Sequence, residues 1–139
     1  MLLAAPGVSG AELAIQQAQT VAENQAGASV ATGVGQPADW MRELIALDPK
    51  EFLRHVSCPV LAMNGAKDKQ VLPEPNLSGI RQALESGGNR HFEALEMPGL
   101  NHLFQTADTG WPREYGHIQE TISPIVLDKI STWIRTQTR

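Results

Sequence analysis

The chain alternates between short runs that are apolar throughout and longer stretches in which apolar residues recur every three or four positions. Met1-Leu2-Leu3-Ala4-Ala5 is a continuous apolar run broken by Pro6-Gly7, the pattern of a buried parallel strand that ends in a loop. Between residues 11 and 25, Leu13, Ala14, Ala18, Val21 and Ala22 fall at helical spacing among Glu and Gln, and residues 27–37 break the pattern, so a helix is expected there. Trp40, Met41, Leu44, Ile45 and Leu47 resume the helical register. Asp48-Pro49 then reads as the N-cap and first residue of a short helix running through His55, because proline needs no N–H donor at that position. Pro59-Val60-Leu61-Ala62-Met63, bounded by Asn64-Gly65, predicts a second strand buried on both faces. Asn76 is placed to cap a helix whose Leu77, Ile80 and Leu84 form one stripe and which Gly87-Gly88 stops. His91 to Met97 is the third strand, ended by Pro98-Gly99. Residues 100–121 carry no period, and loops of that length in compact domains are functional or serve as linkers. Ser123-Pro124 opens a last helix with Val126, Leu127, Ile130, Trp133 and Ile134 on one face.

This order predicts an α/β fold of about three parallel strands flanked by helices, in one domain. Parallel sheets are covered on both faces and commonly hold more strands, so the sheet is expected to be cut at its Met1 edge. A composition of 42% hydrophobic and 19% charged residues is globular and fits neither disorder nor coiled coil. The formal net charge of -4 comes without any block of like charges, which argues against nucleic acid and an anionic membrane surface as partners. No apolar stretch approaches the roughly 20 residues of a membrane helix. The N-terminal run lacks a basic flank and is not read as a signal peptide, which leaves the compartment unassigned. The lone Cys58 excludes an internal disulfide and is expected to pack as a buried small hydrophobe. His55, His91 and His117 show no ligand spacing with one another or with Cys58, so neither a metal nor a cofactor is expected.

Candidate chemistry follows the second and third strands, in the turns Asn64-Gly65-Ala66-Lys67-Asp68 and Pro98-Gly99-Leu100-Asn101-His102. Residues just past the carboxyl ends of parallel strands converge on one crevice. An acid and an imidazole about 34 residues apart, with one helix between them, are expected to meet there. A histidine base needs such a carboxylate to hold its tautomer and to stabilise the imidazolium formed during acyl transfer. Alternatively, Asp68 caps its turn and His102 is a hydrogen-bonded loop histidine. Trp111 and Tyr115 either line a substrate pocket beside His102 or pack the long loop. Asn76-Leu77-Ser78 fits the glycosylation sequon.

The run from Cys58 to Asp68 resembles the segment of α/β-hydrolases that presents the triad acid. The run Leu95-Glu96-Met97-Pro98-Gly99-Leu100-Asn101-His102-Leu103-Phe104 resembles the segment that presents the triad histidine. Within that superfamily the chain looks most like dienelactone-hydrolase-like or prolyl-oligopeptidase-like bacterial esterases. Pro6-Gly7-Val8-Ser9-Gly10 and the tail from Gly110-Trp111-Pro112 through Ile122-Ser123-Pro124 look like that branch too. The resemblance implies that residues 1–139 are a C-terminal segment, that the three strands correspond to the last three of an eight-stranded sheet, and that residues 11–57 form a reduced helical cap-like region. It also implies Asp68 and His102 as triad acid and base. The family's G-x-S-x-G elbow does not occur in this chain. Ser9 offers a substitute, since it follows a strand, precedes a helix and keeps the family's serine, acid, histidine order. The elbow's second glycine would fall on Ala11, however, and Ser9 reads equally as a helix N-cap.

Two functions are therefore expected. One is a serine-type ester or related acyl hydrolase acting on a small ester-like substrate, with its nucleophile supplied by a missing N-terminal half. The other is a non-catalytic α/β module that forms a homodimer through the open sheet edge left by its first strand.

Overall fold

The computed structural model describes residues 1–24 and 39–138. Strands β1 (Leu2–Leu3), β2 (Val60–Gly65) and β3 (Phe92–Met97) form one parallel sheet in the order β1-β2-β3. Leu2 lies opposite Ala62, and β2 and β3 run in register from Val60 opposite Phe92 to Gly65 opposite Met97. Among the described residues five α-helices accompany the strands: α1 (Gly10–Asn24), α2 (Asp39–Ala46), α3 (Pro49–Leu53), α4 (Pro73–Ser86) and α5 (Pro124–Gln137). The predicted α/β class with three parallel strands is thus the observed one.

Every residue of β2 is buried, as its unbroken apolar run requires of a central parallel strand. Alternate residues feed opposite faces. Val60 and Ala62 pack with Leu53 of α3 and with Leu77, Ile80, Ala83 and Leu84 of α4. Leu61 and Met63 pack with Met97, Leu100, Phe104 and Val126, and Ile130 and Trp133 of α5 extend that cluster. The result is a three-layer arrangement with both faces of the sheet covered. No helix among the described residues is long and apolar enough to cross a membrane.

Local readings meet the structure unevenly. Asp48 caps α3 by accepting the Lys50 N–H at 2.9 Å, with Pro49 in the first turn, although the helix stops at Leu53 rather than His55. Asn76 does not cap α4. The helix begins at Pro73, with Leu72 at the cap and no side-chain cap bond. The fully buried Asn76 instead donates to the Leu72 carbonyl and accepts the Gly7 N–H at 2.8 Å. Burial in this role also removes it as a glycan acceptor in the folded chain.

The β1 strand is only two residues long because Ala4 turns to φ 45°, while β2 runs on through Asn64-Gly65. Cys58 is exposed, not packed. On α5, Val126 is buried and Ile130 and Trp133 pack inward, but Leu127 and Ile134 stay exposed, so the buried face is narrower than predicted. The long segment after β3 contains a 3-10 helix, Pro112–His117. The break expected at 27–37 lies outside the described residues.

Candidate active site

The turn leaving β2 is built around one carboxylate. Its N–H groups have no strand partner at this point, and Asp68 Oδ1 accepts two of them, from Gln70 at 2.8 Å and Val71 at 2.9 Å. Oδ2 is turned to His102 Nδ1 at 2.9 Å. The Asp68 side chain is 0% exposed and that of His102 is 26% exposed. The carboxylate is therefore sealed and fully occupied, while the imidazole reaches solvent. With Nδ1 committed to Asp68, Nε2 has no side-chain hydrogen-bond partner among the described residues.

The histidine arrives from β3 through a loop organised by Asn101. Its Oδ1 accepts the N–H groups of Leu103 at 2.9 Å and Gln105 at 3.0 Å, and its amide donates to Gln105 Oε1 at 2.9 Å. Phe104, two residues past the histidine, adopts φ 59°. A non-glycine residue there is strained by roughly 1–2 kcal/mol, which burial of its ring against Met97, Leu100 and Val126 offsets. The two turns are knitted together by Ala66 N–H to Met97 O at 2.9 Å and Lys67 N–H to Leu100 O at 2.8 Å. Gly65 makes this approach possible, since a Cβ there would collide with the Leu100 and Asn101 carbonyls.

The segment after His102 folds back on the acid turn. Lys67 Nζ donates to the Ala107 carbonyl at 2.7 Å and the Asp108 carbonyl at 3.0 Å. Glu114, in the 3-10 helix, accepts the N–H groups of Thr109 and Gly110. Burial pushes the Glu114 carboxyl upward, but the Thr109 and Gly110 amides and the Thr109 hydroxyl outweigh it and hold it below the ordinary range. The Tyr115 phenol is raised, chiefly by burial, with the Asp68 carboxylate adding to the effect. Its hydroxyl accepts from the Gln70 amide at 3.2 Å and donates to the Gly110 carbonyl at 3.4 Å.

Asp68 and His102 are thus brought together as predicted from their strand exits. Trp111 lines a cleft of about 380 Å³ between α1 and the acid turn, while Tyr115 supports that cleft's wall through Gln70. Ser9 is engaged elsewhere. Its hydroxyl accepts the Glu12 N–H at 3.2 Å, and its own N–H donates to Glu12 Oε2 at 2.9 Å. This is a capping box on α1, and it holds the Glu12 carboxyl below its ordinary range, chiefly through the Ser9 N–H. Among the described residues, Asp68 is the only side chain hydrogen-bonded to the His102 ring, and no cluster of three or more His, Cys, Asp or Glu could hold a metal.

Sequence reasoning missed Asn101, Lys67 and Gln70 as supports of the pair. Asn101 carried a readable signal, an Asx residue opening a turn beside the histidine; Lys67 and Gln70 carried none.

The fold and the pair define an α/β protein with a carboxylate-oriented histidine at the rim of a parallel sheet. Comparison with curated proteins finds similarity to Esterase EstD of Thermotoga maritima, 27% identical over 105 residues, covering 73% of this chain and 24% of that protein. The chain therefore spans about a quarter of the length of this relative. No protein-family profile matches the chain, and no solved structure gives a significant match. The similarity supports an esterase-like relationship.

Proposed function

We propose that the chain supplies the acid and base of a serine-type ester or acyl hydrolase, with Asp68 orienting His102 and His102 taking the proton of a serine carried outside these residues. The observation that carries this reading is the 2.9 Å bond from a sealed Asp68 carboxylate to His102 Nδ1. That geometry leaves Nε2 for general-base work and later for protonating the leaving group. Similarity to an esterase points the same way. Ser9 is not assigned as nucleophile, because its hydroxyl serves the α1 cap.

The test combines p-nitrophenyl acetate hydrolysis with fluorophosphonate labelling. The chain alone is expected to be unlabelled and inert. In an assembly that includes the serine-bearing region, Asp68→Asn or His102→Ala is expected to lower kcat on the order of 10³- to 10⁴-fold. Undiminished turnover in His102→Ala would overturn the reading, and labelling of Ser9 would move the nucleophile onto this chain.

A second reading, a non-catalytic module that self-associates, draws on the sheet edge. The β1 strand pairs only with β2 among the described residues, and Leu3 beside that edge is exposed. Light scattering behind size-exclusion chromatography is expected to return a dimer on this reading; a monomer at micromolar concentration counts against it.

A further inference from the structure

The cleft beside the acid turn has a chemical character that the acid–base pair does not explain. Thr20 and Val21 of α1 form one wall, and Lys69, Gln70, Trp111 and Arg113 form the other. Two of these residues are cationic and none is acidic, on a protein whose net charge is -4. Neither Lys69 nor Arg113 forms an ion pair with a described residue. The neighbouring charges are already committed, Lys67 to two carbonyls and Glu114 to the amides of Thr109 and Gly110. In the sequence, residues 25–38 contain no charged side chain that could neutralise the pair.

The cleft is also amphipathic. Lys69 Nζ stands 5.8 Å from the centroid of the Trp111 ring, a cation–π distance that places the ammonium beside an apolar surface. A volume of about 380 Å³ falls in the range that takes small organic ligands. Its connection to the pair is short. Gln70, which lines the cleft, gives its N–H to Asp68 Oδ1 and its amide to Tyr115.

We propose that this cleft is an anion subsite, taking a ligand with a flat or aliphatic body and a carboxylate end. The body lies on Trp111 and Val21, and the carboxylate is held by Lys69 and Arg113. The inference deepens the hydrolase reading and rests on it for one step only, the identity of the substrate as an ester that bears a free carboxylate, such as a half-ester of a dicarboxylic acid. Recognition of the anion does not depend on catalysis.

The experiment titrates the 139-residue chain with phenylacetate and with its neutral isostere phenylacetamide, following the Trp111 indole and Gln70 amide signals by NMR. Phenylacetate is expected to bind at least about tenfold more tightly, a preference that added salt weakens. Lys69→Gln with Arg113→Gln should bring the two probes to equal affinity, and Trp111→Ala should weaken both. Equal binding of the two probes, shifts confined to other parts of the chain, or no shift with either probe would overturn the proposal. The same titration of His102→Ala separates the two readings. Preference retained in that variant, with no hydrolysis by the unsubstituted chain in an assembly that includes the serine-bearing region, sinks the hydrolase alone, while hydrolysis by that assembly without preference sinks the subsite alone.

Discussion

A methyl group at position 65 would point at two carbonyl oxygens of the histidine loop. Those carbonyls belong to Leu100 and Asn101, the residues that immediately precede His102. Gly65→Ala must therefore push the two strand exits apart, and overpacking of this kind costs about 1–3 kcal/mol. A lower urea midpoint is expected, together with loss of the low-field imidazole proton that marks the bond to Asp68. Retention of that resonance at wild-type stability would show that the loop yields without cost. Asn101→Ala acts on the same loop by a different route. It leaves two backbone N–H groups without their acceptor, and buried donors left unmade cost roughly 1–3 kcal/mol.

Among the elements, the segment after β3 carries two titratable groups that leave their ordinary values, Glu114 and Tyr115. Glu114 in the folded chain releases its proton below the ordinary glutamate value of 4.5. In the window below that value the unfolded chain holds more protons than the folded one, so stability rises with pH there and is lost as the medium is acidified. Tyr115, raised above 10.0 mainly by burial, has the opposite sign, and stability falls as pH climbs past that value. Thermal melts between about pH 3 and pH 7 should show an acid-side decline that Glu114→Gln flattens; parallel profiles would remove Glu114 as the cause.

This segment was the least legible part of the sequence. Strand β2 announced itself through its apolar run, β3 through the Pro98-Gly99 that ends it, and helices α3 and α5 through Asp48-Pro49 and Ser123-Pro124, which are local signals. The start of α4 was misplaced because Asn76 resembles a cap locally, while its amide is claimed by Gly7, 69 residues away. The exposure of Leu127 and Ile134 follows from what α5 packs against, and the path of the chain at Ala107 and Asp108 from the Lys67 side chain 40 residues away. Such information is tertiary and leaves no period. Asp68 and His102 were legible for the opposite reason, since parallel strands deliver their exits to one rim whatever covers the faces.

At the scale of the whole molecule, β2 divides two cores with no residue in common, giving Val60 and Ala62 to one and Leu61 and Met63 to the other. Ile80→Ala on one face and Val126→Ala on the other each remove a fully buried side chain. The first should cost about 2–5 kcal/mol and the second somewhat less, in proportion to the cavity left. Because the sites lie on opposite faces, their effects on the urea midpoint should add; a large departure from additivity would mean that the two cores are coupled through the sheet.

The central position of β2 also makes the two partners of the site unequal in time. Among the described strands it alone has a neighbour on each side and no residue at the surface, so its amides should exchange with solvent only when the whole chain opens. The acid follows directly on that strand, in the turn that leaves Gly65. The histidine hangs from an edge strand and a bent loop, and it is the half that can swing away and return while the fold stands. Hydrogen exchange that is slow at Met63 and fast at Leu103 would record that difference.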